Sequence, residues 1–216
     1  MEAAGLFDWL WQPLQYGFMV RGLLAAIMVG IICPVIGSYM ILRGMSFFGD
    51  ALSHSILPGI VIAYLLSLPM AVGALVAGVV AAIFIGFISQ RGNVQEDTAI
   101  GIVFAGAFAL GVALMSTVSG YSVDLTHILF GDVLGVSAAD LWWTFGLGVV
   151  VLAIVIAFYK ELAIITFDPT LALVLRLPAR MLRYLLLVLI ALTIVVSLRT
   201  VGISLMLAML VTPAAA

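Results

Sequence analysis

The sequence predicts an all-α integral membrane protein, a single domain over 1–216 built as a multi-span helical bundle of about seven spans. Three observations predict it. Hydrophobic residues fill 66% of the 216 positions and charged residues only 8%, with a mean hydropathy of +1.37, whereas a soluble domain carries roughly 25% charged residues. Apolar runs recur at about the 20-residue length a helix needs to cross a hydrocarbon core of about 30 Å. Short charged or Gly/Pro breaks separate them and leave no room for a soluble domain. The net charge of −2 is too small to imply nucleic acid or an acidic substrate, so the few charges are read by position.

In chain order the runs fall at 20–42, 47–68, 70–89, 98–118, 141–159, 181–198 and 202–216. Ahead of the first, MEAAGLFDWLWQPLQYGF carries acidic residues where a secretory signal carries basic ones, and Trp9, Trp11 and Tyr16 suit a membrane interface. The first span is therefore expected to be retained. Cys33 stands alone beside Pro34 and reads as packing, which leaves neither a disulfide framework nor a cysteine metal site. Arg43-Gly44, Leu68-Pro69, Arg91-Gly92-Asn93, Tyr159-Lys160-Glu161 and Arg199-Thr200 mark the breaks. Small residues spaced by four, Gly78, Ala82 and Gly86 or Ala105, Ala109 and Ala113, allow close helix approach.

Alternate loops differ in basic residues. One set holds Arg43, Arg91, Lys160, Arg176, Arg180 and Arg183, the other only Arg21 and Arg199. Basic loops stay cytoplasmic, so the N-terminus is predicted extracytoplasmic, as is the segment 119–140. That segment is too polar to span and too apolar for a plain loop, which fits a short helix at the outer surface; Asp124, His127 and Asp132 make it a candidate outer mouth, although a structural role for His127 is the stronger reading. The chain ends in ISLMLAMLVTPAAA, inside an apolar run with no charged anchor, from which a missing C-terminal portion is expected.

The stretch LRGMSFFGDALSHSILPG places Asp50 and His54 four apart, on one face of the second span. A rise of about 1.5 Å per residue from Arg43 puts His54 roughly 16 Å deep. Ionisable groups at that depth are costly and normally face a pathway. A carboxylate with an imidazole suits zinc or manganese and is poorly suited to sugars or lipids. Two second helices meeting at a two-fold axis would bring two such pairs together as a four-ligand site. The competing structural reading makes Asp50 the cap of a helix starting at Ala51 and lets His54 donate to a carbonyl. Ser46 offers another cap, Ser53 and Ser55 flank the imidazole as candidate partners, and Pro58-Gly59 is expected to bend the helix or open its backbone.

On the cytoplasmic side, KELAIITFDPTLALVLRLPARMLR offers Asp168 as N-cap, Pro169 at the first helical position and Pro178 as a stop. A short helix at about 168–177, lying along the membrane, is predicted. Its Leu171 and Leu175 face points to a docked partner protein, or to the membrane surface. There is no G-x-x-x-x-G-K-[ST], and Lys160 is the only lysine, so ATP hydrolysis by a P-loop is excluded for this chain. Its energy must come from a partner or an ion gradient.

On these residues the chain resembles, over essentially its whole length, the permease subunits of the bacterial manganese and zinc ABC importers. LRGMSFFGDALSHSILPG is similar to the family's second-helix signature, and QEDTAIGIVFAGAFALGV, LFGDVLGVSAADL, FDPTLA and GISLMLAMLVTPAAA are similar to later blocks. The resemblance implies a type II importer-like homodimer in the cell (inner) membrane, with a fold similar to vitamin B12 and siderophore permeases. It implies an extracytoplasmic metal-binding lipoprotein, cytoplasmic ATP-binding subunits that perform the hydrolysis, and a transported divalent cation (Mn2+ or Zn2+, with iron also admissible) in place of any permanent cofactor.

By the same resemblance, Asp50 and His54 match the in-channel metal contacts. Phe167, Asp168, Pro169, Leu171, Ala172 and Leu175 match the helix that couples to the ATPase. Arg176 stands where this family usually has a glycine, His127 matches no family metal position, and the family usually continues past TPAAA. The mechanism implied is alternating access, with uptake falling as His54 protonates in acid. Three other readings are distinguishable. An ion-coupled secondary metal carrier would work without an ATPase, an intramembrane metallohydrolase would need more ligands and a base, and a siderophore or cobalamin permease has little use for a buried Asp and His.

Overall fold

The computed structural model describes residues 15–92, 94–117 and 135–216. Among them the regular elements are helices: α1 (Gly17–Leu42), α2 (Phe48–Ser55), α3 (Leu57–Leu65), α4 (Met70–Arg91), α5 (Glu96–Ser116), α6 (Ala138–Ala157), α7 (Tyr159–Phe167), α8 (Pro169–Val174) and α9 (Ala179–Ala215). Six helical runs are long and apolar enough to cross a membrane, with α2 and α3 counted together as one (Phe48–Leu65). The breaks predicted at Arg43-Gly44, Leu68-Pro69 and Arg91-Gly92 hold, whereas Tyr159-Lys160-Glu161 opens α7 just after an interruption at Phe158, and Arg199-Thr200 stays helical with the interruption at Gly202. Gly44 takes φ +70° just past α1, where the amides of Gly44 and Met45 bond back to the carbonyls of Ile41 and Met40.

The core lies along the first part of α9, whose Leu186, Leu187, Leu189, Ile190 and Ile194 are fully buried against α1, α4 and α6. The outward faces are apolar as well: Leu23, Ile27 and Ile31 on α1, Val76, Val80 and Phe84 on α4, and Ile102, Leu110 and Val112 on α5 are exposed. A fold apolar both inside and out is one whose solvent is lipid. Of the two small-residue rows, Gly78, Ala82 and Gly86 lie buried, with Gly78 against Val195 and Gly86 against Tyr184 and Leu187 of α9. Ala105, Ala109 and Ala113 do not pack in this way and remain largely exposed.

The run counted as a seventh span, 202–216, is set off from the first part of α9 by a break in the helix. It joins α9 through Gly202, whose φ of 76° and ψ of 172° break the helix. Ser197 meets Cys33 (Oγ to Sγ, 3.4 Å), and the Leu210 carbonyl lies against Gly37, one turn further along α1. A straight helix would carry Leu210 about 20 Å beyond Ser197, yet Cys33 and Gly37 are only about 6 Å apart along α1. The chain therefore folds back at Gly202, and 203–215 returns alongside α1 toward its Arg43 end. Leu207 and Leu210 then pack on Gly49, behind α2.

The charges segregate to two ends. Arg43, Arg91, Arg180 and Arg183 line one cavity. At the other end Pro69, Asp140 and Arg199 border a second groove, where Arg199 Nη2 pairs with Asp140 Oδ1 at 3.0 Å. This matches the two loop sets read from the sequence.

Candidate functional site

The site is built on α2. Asp50 is the third residue of that helix, which starts at Phe48 without a side-chain cap. Asp50 is thus not the cap of a helix starting at Ala51, and Ser46 does not cap it either. A carboxylate in the first turn still gains from the helix dipole. Asp50 Oδ1 lies 3.8 Å from His54 Nε2, and the two side chains are 42% and 29% exposed within this chain. That separation is too long for a hydrogen bond. A cation bonded to both atoms at about 2.1 Å would hold them roughly 3.0–3.8 Å apart for bond angles of about 90–130°.

Ser53 and Ser55 do not support the imidazole. Their hydroxyls donate to the carbonyls of Gly49 (2.8 Å) and Ala51 (2.7 Å), the usual back-bonding of a helical serine. What touches His54 is aromatic: the rings of Phe104 and Phe108 on α5 stand 5.9 and 5.8 Å from it. Spacing within the second span gave no hint of these residues; a Phe pair at i, i+4 in a neighbouring run was the available signal. The predicted opening of the helix is present. Helix α2 ends at Ser55 and α3 starts at Leu57, with Pro58 in its first turn. Pro58 has no N–H to give to the His54 carbonyl four residues earlier, so the backbone is opened directly behind the imidazole.

No group of three or more His, Cys, Asp or Glu side chains gathers among the described residues. This chain therefore brings one carboxylate and one imidazole to the face. Asp124, His127 and Asp132 lie outside the described residues.

The second predicted region forms a shorter helix than expected, α8 (Pro169–Val174). Asp168 caps it: its Oδ1 accepts from the amides of Thr170 and Leu171, both at 3.0 Å, and from the Thr170 hydroxyl. Those donors hold the Asp168 carboxyl below the usual carboxylate range, the Thr170 hydroxyl contributing most. Phe167, Leu171 and Leu175 are exposed, but Ala172 is fully buried and faces inward. Leu173 and Val174, missed in the sequence, are 71% and 78% exposed. The helix closes with Arg176 at φ +53°, its N–H bonded to the Leu173 carbonyl (3.1 Å) and that of Leu177 to the Ala172 carbonyl (3.0 Å). This is the left-handed closing position that favours glycine, so the arginine noted in the sequence stands at a strained spot.

The two regions are tied through Glu96 at the start of α5, also missed in the sequence. Its Oε1 accepts from Arg43 Nη2 (2.6 Å) and from Arg183 Nε. Arg43 leads into the loop before α2, and Arg183 lies in the first turns of α9, after α8. The Glu96 and Arg43 side chains are only 10% and 11% exposed. Burial pulls the Arg43 guanidinium down from its ordinary range, and Glu96 opposes that pull.

The model of the ABC 3 transport family matches residues 15–216. The manganese transport system membrane protein MntC of Halalkalibacterium halodurans is 52% identical over 204 residues, covering 94% of this chain and 70% of that protein. The chelated iron transport system membrane protein YfeD of Yersinia pestis is 43% identical over 208 residues, covering 96% and 70%. Among solved structures, PsaBC from Streptococcus pneumoniae in complex with Fab superposes with a TM-score of 0.79 at 40% identity, covering all of this chain and 76% of that one.

Proposed function

The chain belongs to the ABC 3 transport family, and on that premise we propose that it is the permease subunit of an ATP-driven importer carrying divalent metal cations into the cell. Manganese is the first candidate, since the relative with half its residues identical is named for manganese transport. Iron follows, from the relative named for it, and zinc by ligand chemistry. The observation that carries the reading is the Asp50 and His54 pair, 3.8 Å apart and half-open on one face of a spanning helix. A carboxylate left facing hydrocarbon at that depth would cost a few kcal/mol or more. A second copy of this chain over the α2–α5 face relieves that cost and supplies two further ligands. The bare row of Ala105, Ala109 and Ala113 on α5 suits such close approach.

The cation reaches this homodimer from an extracytoplasmic binding lipoprotein, through an outer mouth at 119–140. Asp50 and His54 accept it, and shared half-sites bind weakly enough to release it. On the basic, cytoplasmic end, α8 with its exposed Phe167, Leu171 and Leu175 docks on a separate ATPase subunit. This chain performs no covalent chemistry; it is the translocation part, one domain over 1–216, with its N-terminus outside. The test is cation-by-cation uptake in cells carrying Asp50→Ala or His54→Ala. Uptake of one cation should vanish while the protein stays in the membrane at its normal level. Normal uptake in either variant would overturn the reading.

A further inference from the structure

We propose that the cavity at the basic end of the bundle is a binding site for the headgroup phosphate of an anionic phospholipid. This does not rest on metal transport, only on the chain being a membrane protein. The cavity, about 570 Å³, is lined by Arg43, Arg91, Arg180 and Arg183 together with Ser89 and Gln90. Glu96 is the carboxylate bonded to two of those arginines, Arg43 and Arg183. Arg91 and Arg180 have no carboxylate partner among the described residues, so positive charge is in excess. Arg43 Nη1 and Gln90 Nε2 are buried donors with no acceptor. A buried donor left unmet costs about 1–3 kcal/mol, and a phosphate, rich in acceptor oxygens and negatively charged, meets both needs.

A lipid, rather than free phosphate, follows from the depth and the neighbouring surface. Arg91 is the last residue of α4, Arg43 caps the end of α1, and Arg180 and Arg183 open α9, so the cavity sits where spanning helices leave the hydrocarbon. From Arg91 an apolar stripe runs back along α4 through Phe87, Phe84, Val80 and Val76, all exposed. These positions share one helical face. The stripe is about 22 Å long, enough to line an acyl chain across a leaflet about 15 Å thick. Basic pockets between spanning helices at this level are suited to anionic headgroups.

The experiment is native mass spectrometry of the full chain in detergent, titrated with phosphatidylglycerol or phosphatidylcholine, for the wild type, Arg91→Gln and the Arg91→Gln/Arg180→Gln pair. Both arginines are exposed, so the fold should survive, which thermal unfolding checks; the single variant serves if the pair unfolds. Phosphatidylglycerol should be retained over phosphatidylcholine. Its binding should weaken about fivefold in the single variant and roughly 25-fold in the pair, since each arginine near an anionic headgroup contributes about a factor of five. Excess inorganic phosphate should not displace it. Equal retention of the two lipids, unchanged binding in the variants, displacement by free phosphate, or release of the lipid when an ATPase subunit is added would each overturn the proposal.

Discussion

Gly59 and Gly73 touch through their backbones: a Cβ on Gly59 would lie 2.3 Å from the Gly73 carbonyl oxygen, and one on Gly73 would lie 2.2 Å from that of Gly59. This contact locks α3 to α4 directly beyond the interruption behind His54. Gly59→Ala or Gly73→Ala must push two backbones apart, so either should lose about 1–3 kcal/mol of stability or more. Gly101→Ala, where an added Cβ meets nothing within 4 Å, should be neutral or gain about 0.5–1 kcal/mol. Thermal unfolding in detergent separates the two classes, and equal effects would deny the close contact.

Glu96 holds two arginines from different parts of the chain, and removing it leaves the nearly buried Arg43 without its counter-charge. Glu96→Ala should cost about 3–5 kcal/mol, the usual loss when one partner of a buried pair is deleted. Glu96→Gln keeps an acceptor and should cost less. Midpoints of thermal unfolding test the order; a harmless Glu96→Ala would mean that the ion pairs are ornamental.

Arg176 occupies a left-handed conformation, with φ +53°. Glycine adopts it freely, whereas other residues pay about 1–2 kcal/mol. Arg176→Gly should therefore stabilise the end of α8 by up to about 1 kcal/mol, once the greater freedom of glycine in the unfolded chain is subtracted. Slower amide exchange at Leu177, whose N–H closes the helix on the Ala172 carbonyl, is the readout.

Much of this was legible in the sequence because lipid imposes strong rules. Helix positions and the basic end follow from run length and arginine placement, and the Asp50 and His54 pair from spacing alone. What stayed hidden depends on contacts between distant segments. Nothing in the periodicity of 70–89 says that Gly73 meets Gly59, and nothing near Arg43 says that Glu96 joins it to Arg183. Ser53 and Ser55 misled because position beside a histidine in sequence is position on another face of a helix, where the helix carbonyls are the nearer acceptors. The reversal at Gly202 lies just past the break read at Arg199-Thr200; the small offset was not legible because only the backbone angles of the glycine mark where the helix turns.

Asp168 makes the α8 cap dependent on acid in a definite direction. Its carboxyl is held below the usual carboxylate range by the Thr170 hydroxyl and the amides of Leu171 and Thr170. A lowered value means that the ionised form stabilises the fold, fully so above the unfolded carboxylate range, with the benefit lost as pH falls through the lowered one. The cap should therefore be constant across neutral pH and fail only in acid. Amide exchange at Thr170 and Leu171 should show protection that disappears there. Asp168→Ala should lose it at every pH, while Asp168→Asn, still an acceptor, should keep it with no acid transition.

The sharpest test of the fold is at Gly202. Its φ of 76° with ψ of 172° lies in a region that is essentially restricted to glycine, where another residue costs about 1–3 kcal/mol. That conformation turns 203–215 back so that Leu207 and Leu210 seat on Gly49, the residue before Asp50. Gly202→Ala should either destabilise the protein by about that amount or straighten the chain and withdraw the support behind α2. On the proposed function both routes should lower metal uptake, and they separate by measurement: the first lowers the unfolding midpoint, while the second also exposes Cys33, now buried on Ser197, to a thiol reagent. A Gly202→Ala protein with wild-type stability, a protected Cys33 and full uptake would show that the reversal does not need glycine.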